Sequence, residues 1–252
     1  MKITKLLLLA AAIFAFSCSD DDEKPSLDKQ AISLMDDDQV ITVPPALLES
    51  DDDQAQLAAS WITMANAMSS YLHYFEMPAG AQKSEARITA SNGRVKDAGD
   101  HVTYVWTDEQ SGQSVAYQVS EESDRYVFEI FLKLDAATEF LKYFHAEEKK
   151  DRSEGFMKIY DIFGISGDDT SVVWLEYNWS RVGNIFNLTI KDHTDSYWVE
   201  FAIDTNTNAG SVVFYGDGGL KGYELIWDGA GNGTWAYFND EGTVVESGAW
   251  TA

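Results

Sequence analysis

From His101 to Trp250 the chain is written almost entirely in short runs that alternate apolar and polar residues, and this period of two excludes most fold classes. The clearest runs are His101 to Thr107, Ser114 to Ser120, Arg125 to Leu132, Phe156 to Asp161, Val172 to Trp179 and Ile185 to Lys191. They continue through Tyr197 to Ile203, Ser211 to Tyr215, Tyr223 to Trp227, Thr234 to Phe238 and Thr243 to Trp250. Asn92-Gly93, Asp217-Gly218-Gly219, Asp228-Gly229 and Glu241-Gly242 supply the positive φ angles of tight hairpins. All four prolines lie at or before Pro78, so proline's missing N–H breaks no ladder beyond it. The connections are too short to hold crossover helices. The expected fold is therefore mainly β, an antiparallel meander of about eleven strands forming an open half-barrel or a barrel.

One N-terminal amphipathic helix should pack on that sheet, over about residues 50–76. Ser50 is placed to cap it, Asp51 to Asp53 complement its dipole, and Pro78 with Gly80 marks its end. Leu57, Trp61, Met64, Met68, Leu72 and Phe75 recur every three or four residues as its apolar face. Val40 to Val43 reads as a short edge strand stopped by Pro44-Pro45. Leu134 to Lys149 is open to helix or strand, with a strand favoured near Phe140 to Ala146. A closed barrel or two-layer sandwich plugged by the helix remains a second architecture. "EGFMKIYD" at 154–161 resembles "NGTWAYFND" at 232–240, and each precedes a Val-Val strand ending in Trp (Trp179, Trp250), a repeat that hairpin grammar alone would also produce.

The strand faces carry most of the chemistry. Val173, Leu175, Tyr177 and Trp179, then Phe186, Leu188 and Ile190, then Tyr197, Val199, Phe201 and Ile203 form an apolar face. If the strands pair in sequence order, the other face presents Trp174, Glu176, Asn178, Asn187, Thr189, Lys191, Trp198 and Glu200. Indole rings among carboxylates and amides suit stacking on a sugar ring, and also suit ordinary cross-strand pairing. The candidate ligand-binding residues are Trp174, Glu176, Asn178, Trp198 and Glu200.

The N-terminus states an address. Met1 to Lys5 is basic and Leu6 to Phe16 is an eleven-residue uncharged apolar run, too short to span a hydrocarbon core about 30 Å thick. Residues 1–17 thus read as a signal peptide. Ala15-Phe16-Ser17-Cys18 resembles a bacterial lipobox, with Phe16 bulkier than the pattern, and Cys18 is the single cysteine. That resemblance implies cleavage before Cys18 and lipid on its sulfur, so the membrane is a partner through the anchor. Ser19, Asp20, Asp21, Asp22 and Glu23 resemble the export signal of Bacteroidetes surface lipoproteins, which implies a lipid-anchored place on the outer face of the outer membrane. Residues 18–38 then form a lipidated, acidic, flexible tether and 39–252 one β-rich domain. A long helix before a meander also resembles, in element order alone, the lipoprotein-carrier half-barrels of the LolA and LppX type, which implies a curved open sheet over an apolar cavity.

Charge and motif bound the function. The formal charge is −24, and loss of Lys2 and Lys5 with the signal peptide takes it to −26, a field that repels nucleic acid. Metalloprotease, nucleophile-elbow, P-loop and dinucleotide patterns do not occur in the sequence, lipid on Cys18 would remove the one thiol, and His73, His101, His145 and His193 are scattered. No catalytic residue, metal or cofactor beyond the lipid is expected. Asp204 to Gly210 starts like a calcium loop, but Ala209 stands where that loop needs glycine and Tyr215 where it needs glutamate. The leading expectation is a non-catalytic binding module for an extracellular glycan or lipid-like ligand. The alternatives are a structural or envelope-interaction lipoprotein with a protein partner and, third, an envelope hydrolase.

Overall fold

The computed structural model describes residues 26–32, 40–71, 80–89, 100–107, 112–134, 139–164, 167 and 169–251. Cys18 and the run Ser19 to Glu23 lie outside the described residues, as do Leu72, His73, Phe75, Pro78 and the Asn92-Gly93 turn.

Among the described residues, thirteen strands form one antiparallel sheet in which every strand pairs with its sequence neighbours. They are β1 (Gln82–Ser84), β2 (His101–Thr107), β3 (Ser114–Glu121), β4 (Arg125–Lys133), β5 (Leu141–Lys149), β6 (Glu154–Tyr160) and β7 (Val173–Val182). The rest are β8 (Ile185–Asp192), β9 (Tyr197–Asp204), β10 (Gly210–Tyr215), β11 (Lys221–Trp227), β12 (Gly233–Phe238) and β13 (Val244–Trp250). The sheet is open, with β1 and β13 as its edges, so the closed barrel and the two-layer sandwich are not the architecture. The ambiguous stretch after residue 134 carries β5, a nine-residue strand. β1 escapes the sequence pattern because Gln82-Lys83-Ser84 has neither alternation nor β-branched residues.

Among the described residues, two α-helices precede the sheet, α1 (Pro45–Glu49) and α2 (Asp53–Tyr71). The cap of α2 is Asp52, whose Oδ1 accepts the backbone N–H groups of Gln54 (2.8 Å) and Ala55 (3.3 Å), and not Ser50, which instead accepts from the Asp52 N–H. The face of α2 that enters the core is also not the expected one. Ala55, Ala58, Ala59, Ile62 and Ala65 are buried, while Leu57, Trp61, Met64 and Met68 stand half-buried beside them. Small residues let the helix backbone approach the sheet, and the bulky ones fill its margin. Trp61, for instance, meets the edge of Phe214 at 5.4 Å. The Tyr223 hydroxyl donates to Gln54 Oε1 and ties the start of α2 to β11.

Val40 to Val43 is not a strand. Asn66 on α2 receives the Ile41 N–H (3.0 Å) and donates to the Ile41 carbonyl (2.8 Å), so one side-chain amide does what a neighbouring strand would do. Within the span read as a tether, Leu27 and Ile32 pack against the core and Asp28 pairs with Lys83 at 3.5 Å.

The apolar face built on Tyr117, Phe128, Phe144, Trp179, Leu188, Phe201 and Leu225 is the core, joined by the buried side of α2. Three of its strands are packed by one device. Gly155, Gly210 and Gly233 lie directly across from Trp179, Trp227 and Trp250, with the indole over the glycine. A Cβ on any of these glycines would fall 2.0–2.4 Å from an indole carbon. The short sequence repeat therefore has a physical meaning, because its glycine and its terminal tryptophan are cross-strand partners.

Candidate functional site

The helices cover one side of the sheet, and the candidate residues stand on the other. β7, β8 and β9 pair in the register that places them together: Glu176 faces Lys191, which faces Trp198, and Asn178 faces Thr189, which faces Glu200. The polar face proposed from alternation is one surface. Trp174 stands one residue pair beyond the β7–β8 ladder, so it is offset from Trp198 and does not oppose it.

Neither indole is core and neither is fully open; both are half-buried. Trp198 stacks on Tyr215 with ring centres 4.8 Å apart and planes within 14°, and its far edge approaches Gly219. Glu200 holds this pair, accepting from Trp198 Nε1 (3.3 Å) and from the Tyr215 hydroxyl (3.2 Å). Glu176 accepts from Asn178 Nδ2 at 3.0 Å and contacts His193 Nε2 at 3.3 Å and Lys158 at 3.9 Å. Partial burial alone would raise its carboxyl, but the Asn178 bond and the neighbouring cations hold it below the usual carboxylate range.

Pairing continues these residues into one cross-strand row. Thr103, Gln118, Glu129, His145, Lys158, Glu176, Lys191, Trp198, Tyr215 and Lys221 are successive cross-strand partners, one on each strand from β2 to β11. A parallel row beside it runs through Glu147, Phe156, Asn178, Thr189, Glu200, Val213 and Glu224. Periodicity along one strand does not reveal such rows, because they exist only once the register is known.

The β2–β6 end of the row is a buried charged centre that the sequence reading missed. Glu129 is 6% exposed, with Lys142 Nζ at 2.5 Å, Gln118 Nε2 at 3.0 Å and His145 Nδ1 at 3.4 Å. Gln118 is in turn held by the Thr103 hydroxyl and the Ile88 N–H, both at 3.0 Å. Burial by itself would raise the Glu129 carboxyl, yet the His145 bond and the Lys142 charge bring it down to about 2. Burial opposes a charged His145, but bonds to Glu129 and Glu147 outweigh it and raise the imidazole above its usual range. A carboxylate so fully satisfied is built to hold β3, β4 and β5 in register, not to attack a substrate.

Beside this centre the surface opens into a hollow of ≈ 250 Å³ around Phe156, lined by Arg125, Glu147, Asn178 and Ser180. Arg125 donates to Glu147 at 2.8 Å, and Lys158 sits 5.2 Å from the Phe156 ring centre. An aromatic floor ringed by a guanidinium, a carboxylate and an amide presents donors and acceptors around an apolar plate.

Asp204 Oδ1 accepts the N–H groups of Asn206 and Thr207 and closes the β9–β10 turn, which is how that loop uses its acid. Among the described residues, no group of three or more His, Cys, Asp and Glu side chains is placed to hold a metal ion. No known protein-family model matches this chain, and no curated protein is significantly similar to it.

Proposed function

We propose that the protein is an outer-membrane surface lipoprotein, anchored by lipid on Cys18 and directed outward by Ser19 to Glu23, whose sheet is a non-catalytic binding module for an extracellular glycan. The observation that carries the ligand class is the partly exposed β6–β10 stretch of the sheet face opposite the one that α2 packs: a band of amides, paired charges and aromatic rings. Sugar rings offer an apolar face for stacking and a rim of hydroxyls that both donate and accept, which is what Phe156, Trp198, Asn178 and the Glu-Lys pairs complement. A lipid-like ligand would call for an apolar lining, which this band lacks. The carboxylates here are engaged with cations, amides and phenols, an arrangement suited to holding and not to hydrolysis.

Replacing Trp198 with Ala removes one aromatic pair and should cost about 0.5–1.5 kcal/mol of stability beyond its lost area. It should also lower glycan affinity severalfold. Isothermal titration against a glycan panel, with melting curves on the same variant, checks both. Unchanged affinity would remove Trp198 from the site.

One observation favours an envelope-interaction role as a second reading. β13 is a seven-residue edge strand whose residues Val244 to Ser247 and Ala249 are exposed, with Glu246 its one charge and no proline, a free edge of the kind that adds a partner's strand. Pull-down of an envelope protein that is lost on Val245→Pro would support it.

A further inference from the structure

Resting on the glycan reading above, we propose that the ligand is an extended, uncharged polysaccharide that runs across the strands, one sugar ring to each strand, from Phe156 on β6 to Tyr215 on β10. The first argument is spacing. The groups of the row recur once per strand, and neighbouring strands lie about 4.7–4.9 Å apart, close to the advance of one pyranose ring in an extended chain. A bound peptide would instead seek hydrogen bonds at a sheet edge, since on the sheet face the backbone groups are already paired.

The second argument is charge. From β6 to β10, the strands such a ligand would cross, the two rows hold Glu176 and Glu200 against Lys158 and Lys191. Two acids against two bases leave this band neutral on a chain whose formal charge is −24. A polyanion or polycation finds no net attraction along it. A hydroxyl-bearing polymer finds donors and acceptors in turn, because base and acid alternate along Lys158, Glu176 and Lys191.

The third argument is the ends. Phe156 floors the hollow at β6, and the stacked Trp198–Tyr215 pair closes the row at β9 and β10. The path between them crosses five strands, which fixes the number of subsites at about five.

The test is equilibrium binding of the purified chain to neutral oligosaccharide ladders, β-linked glucose, xylose and N-acetylglucosamine, from one ring upward. Affinity should rise severalfold with each ring and level off near five. Phe156→Leu and Trp198→Ala should each shorten the length at which it levels, from opposite ends. Lys191→Gln, a substitution at the middle of the row that leaves the packing in place, should weaken every ligand longer than two rings. Melting curves and circular dichroism establish that each variant is folded. Glycan binding that does not depend on length overturns the cross-strand polymer and leaves the glycan reading standing. Binding only to charged polysaccharides overturns the proposal too. No glycan binding at any length by the folded protein overturns both.

Discussion

At the residue scale, the Glu129–His145 pair makes stability depend on pH in two directions. Glu129 sits below its ordinary value of 4.5, so its contribution is complete above about 4.5 and fades as pH falls toward 2. His145 sits above its ordinary 6.5, so its contribution is complete below that value and fades as pH rises through the imidazole's folded pKa. Both are present together between about 4.5 and 6.5, where melting temperature should be highest. His145→Gln should flatten the alkaline limb and also make the acid one shallower, because His145 is one of the partners that lower the Glu129 carboxyl. Lys142→Met leaves a buried carboxylate without its closest cation and should cost about 3–5 kcal/mol, measured by denaturant unfolding. None of this was legible in the sequence, where Glu129 is one of 42 acids and His145 looks isolated. The partners lie on adjacent strands, and only pairing brings them together. Trp198, Glu176 and Asn178 were legible because alternation within one strand already names the face, whereas Tyr215, Phe156 and Arg125 needed the register.

At the scale of elements, strand positions were the easiest part to read. β2 has the bounds that its alternation gives, because each β-branched or aromatic run is closed off by turn residues. The helix was found, but its buried side was misjudged: periodicity finds bulky residues, while close approach to a sheet selects small ones. Ala58→Leu should therefore cost about 1–3 kcal/mol, since a fully buried alanine has no room for a larger side chain. Asn66→Leu should cost about 1–3 kcal/mol for a different reason, by stripping partners from the Ile41 backbone. In the sheet, Gly210→Ala drives a Cβ against Trp227 and the Ala202 carbonyl and should cost a similar amount. Gly216→Ala, which meets nothing within 4 Å, should be close to neutral. Comparing unfolding midpoints of these variants separates packing from backbone satisfaction.

At the scale of the whole molecule, the β6–β10 part of the sheet is packed by the core on one face and leaves the other partly open to solvent, and lipid on Cys18 would hold that surface close to a membrane. If Cys18 is the anchor, Cys18→Ala should abolish palmitate labelling, and unchanged labelling would remove the lipobox reading. Replacing Asp20 to Glu23 with Ala should keep the label and lose cleavage by protease added outside intact cells. The strand order has its own consequence for how the molecule assembles. Because every strand pairs with its sequence neighbours, a chain delivered N-terminus first meets each partner as soon as the next hairpin arrives, so the sheet zips with low contact order. The helix is the exception. Gln54 meets Tyr223, 169 residues later, so α2 must wait, its alanine stripe uncovered, until β10 and β11 exist. Folding should thus show a fast phase in strand signals and a slower one in Trp61 fluorescence, and a chain ending before β10 should keep the first phase and lose the second.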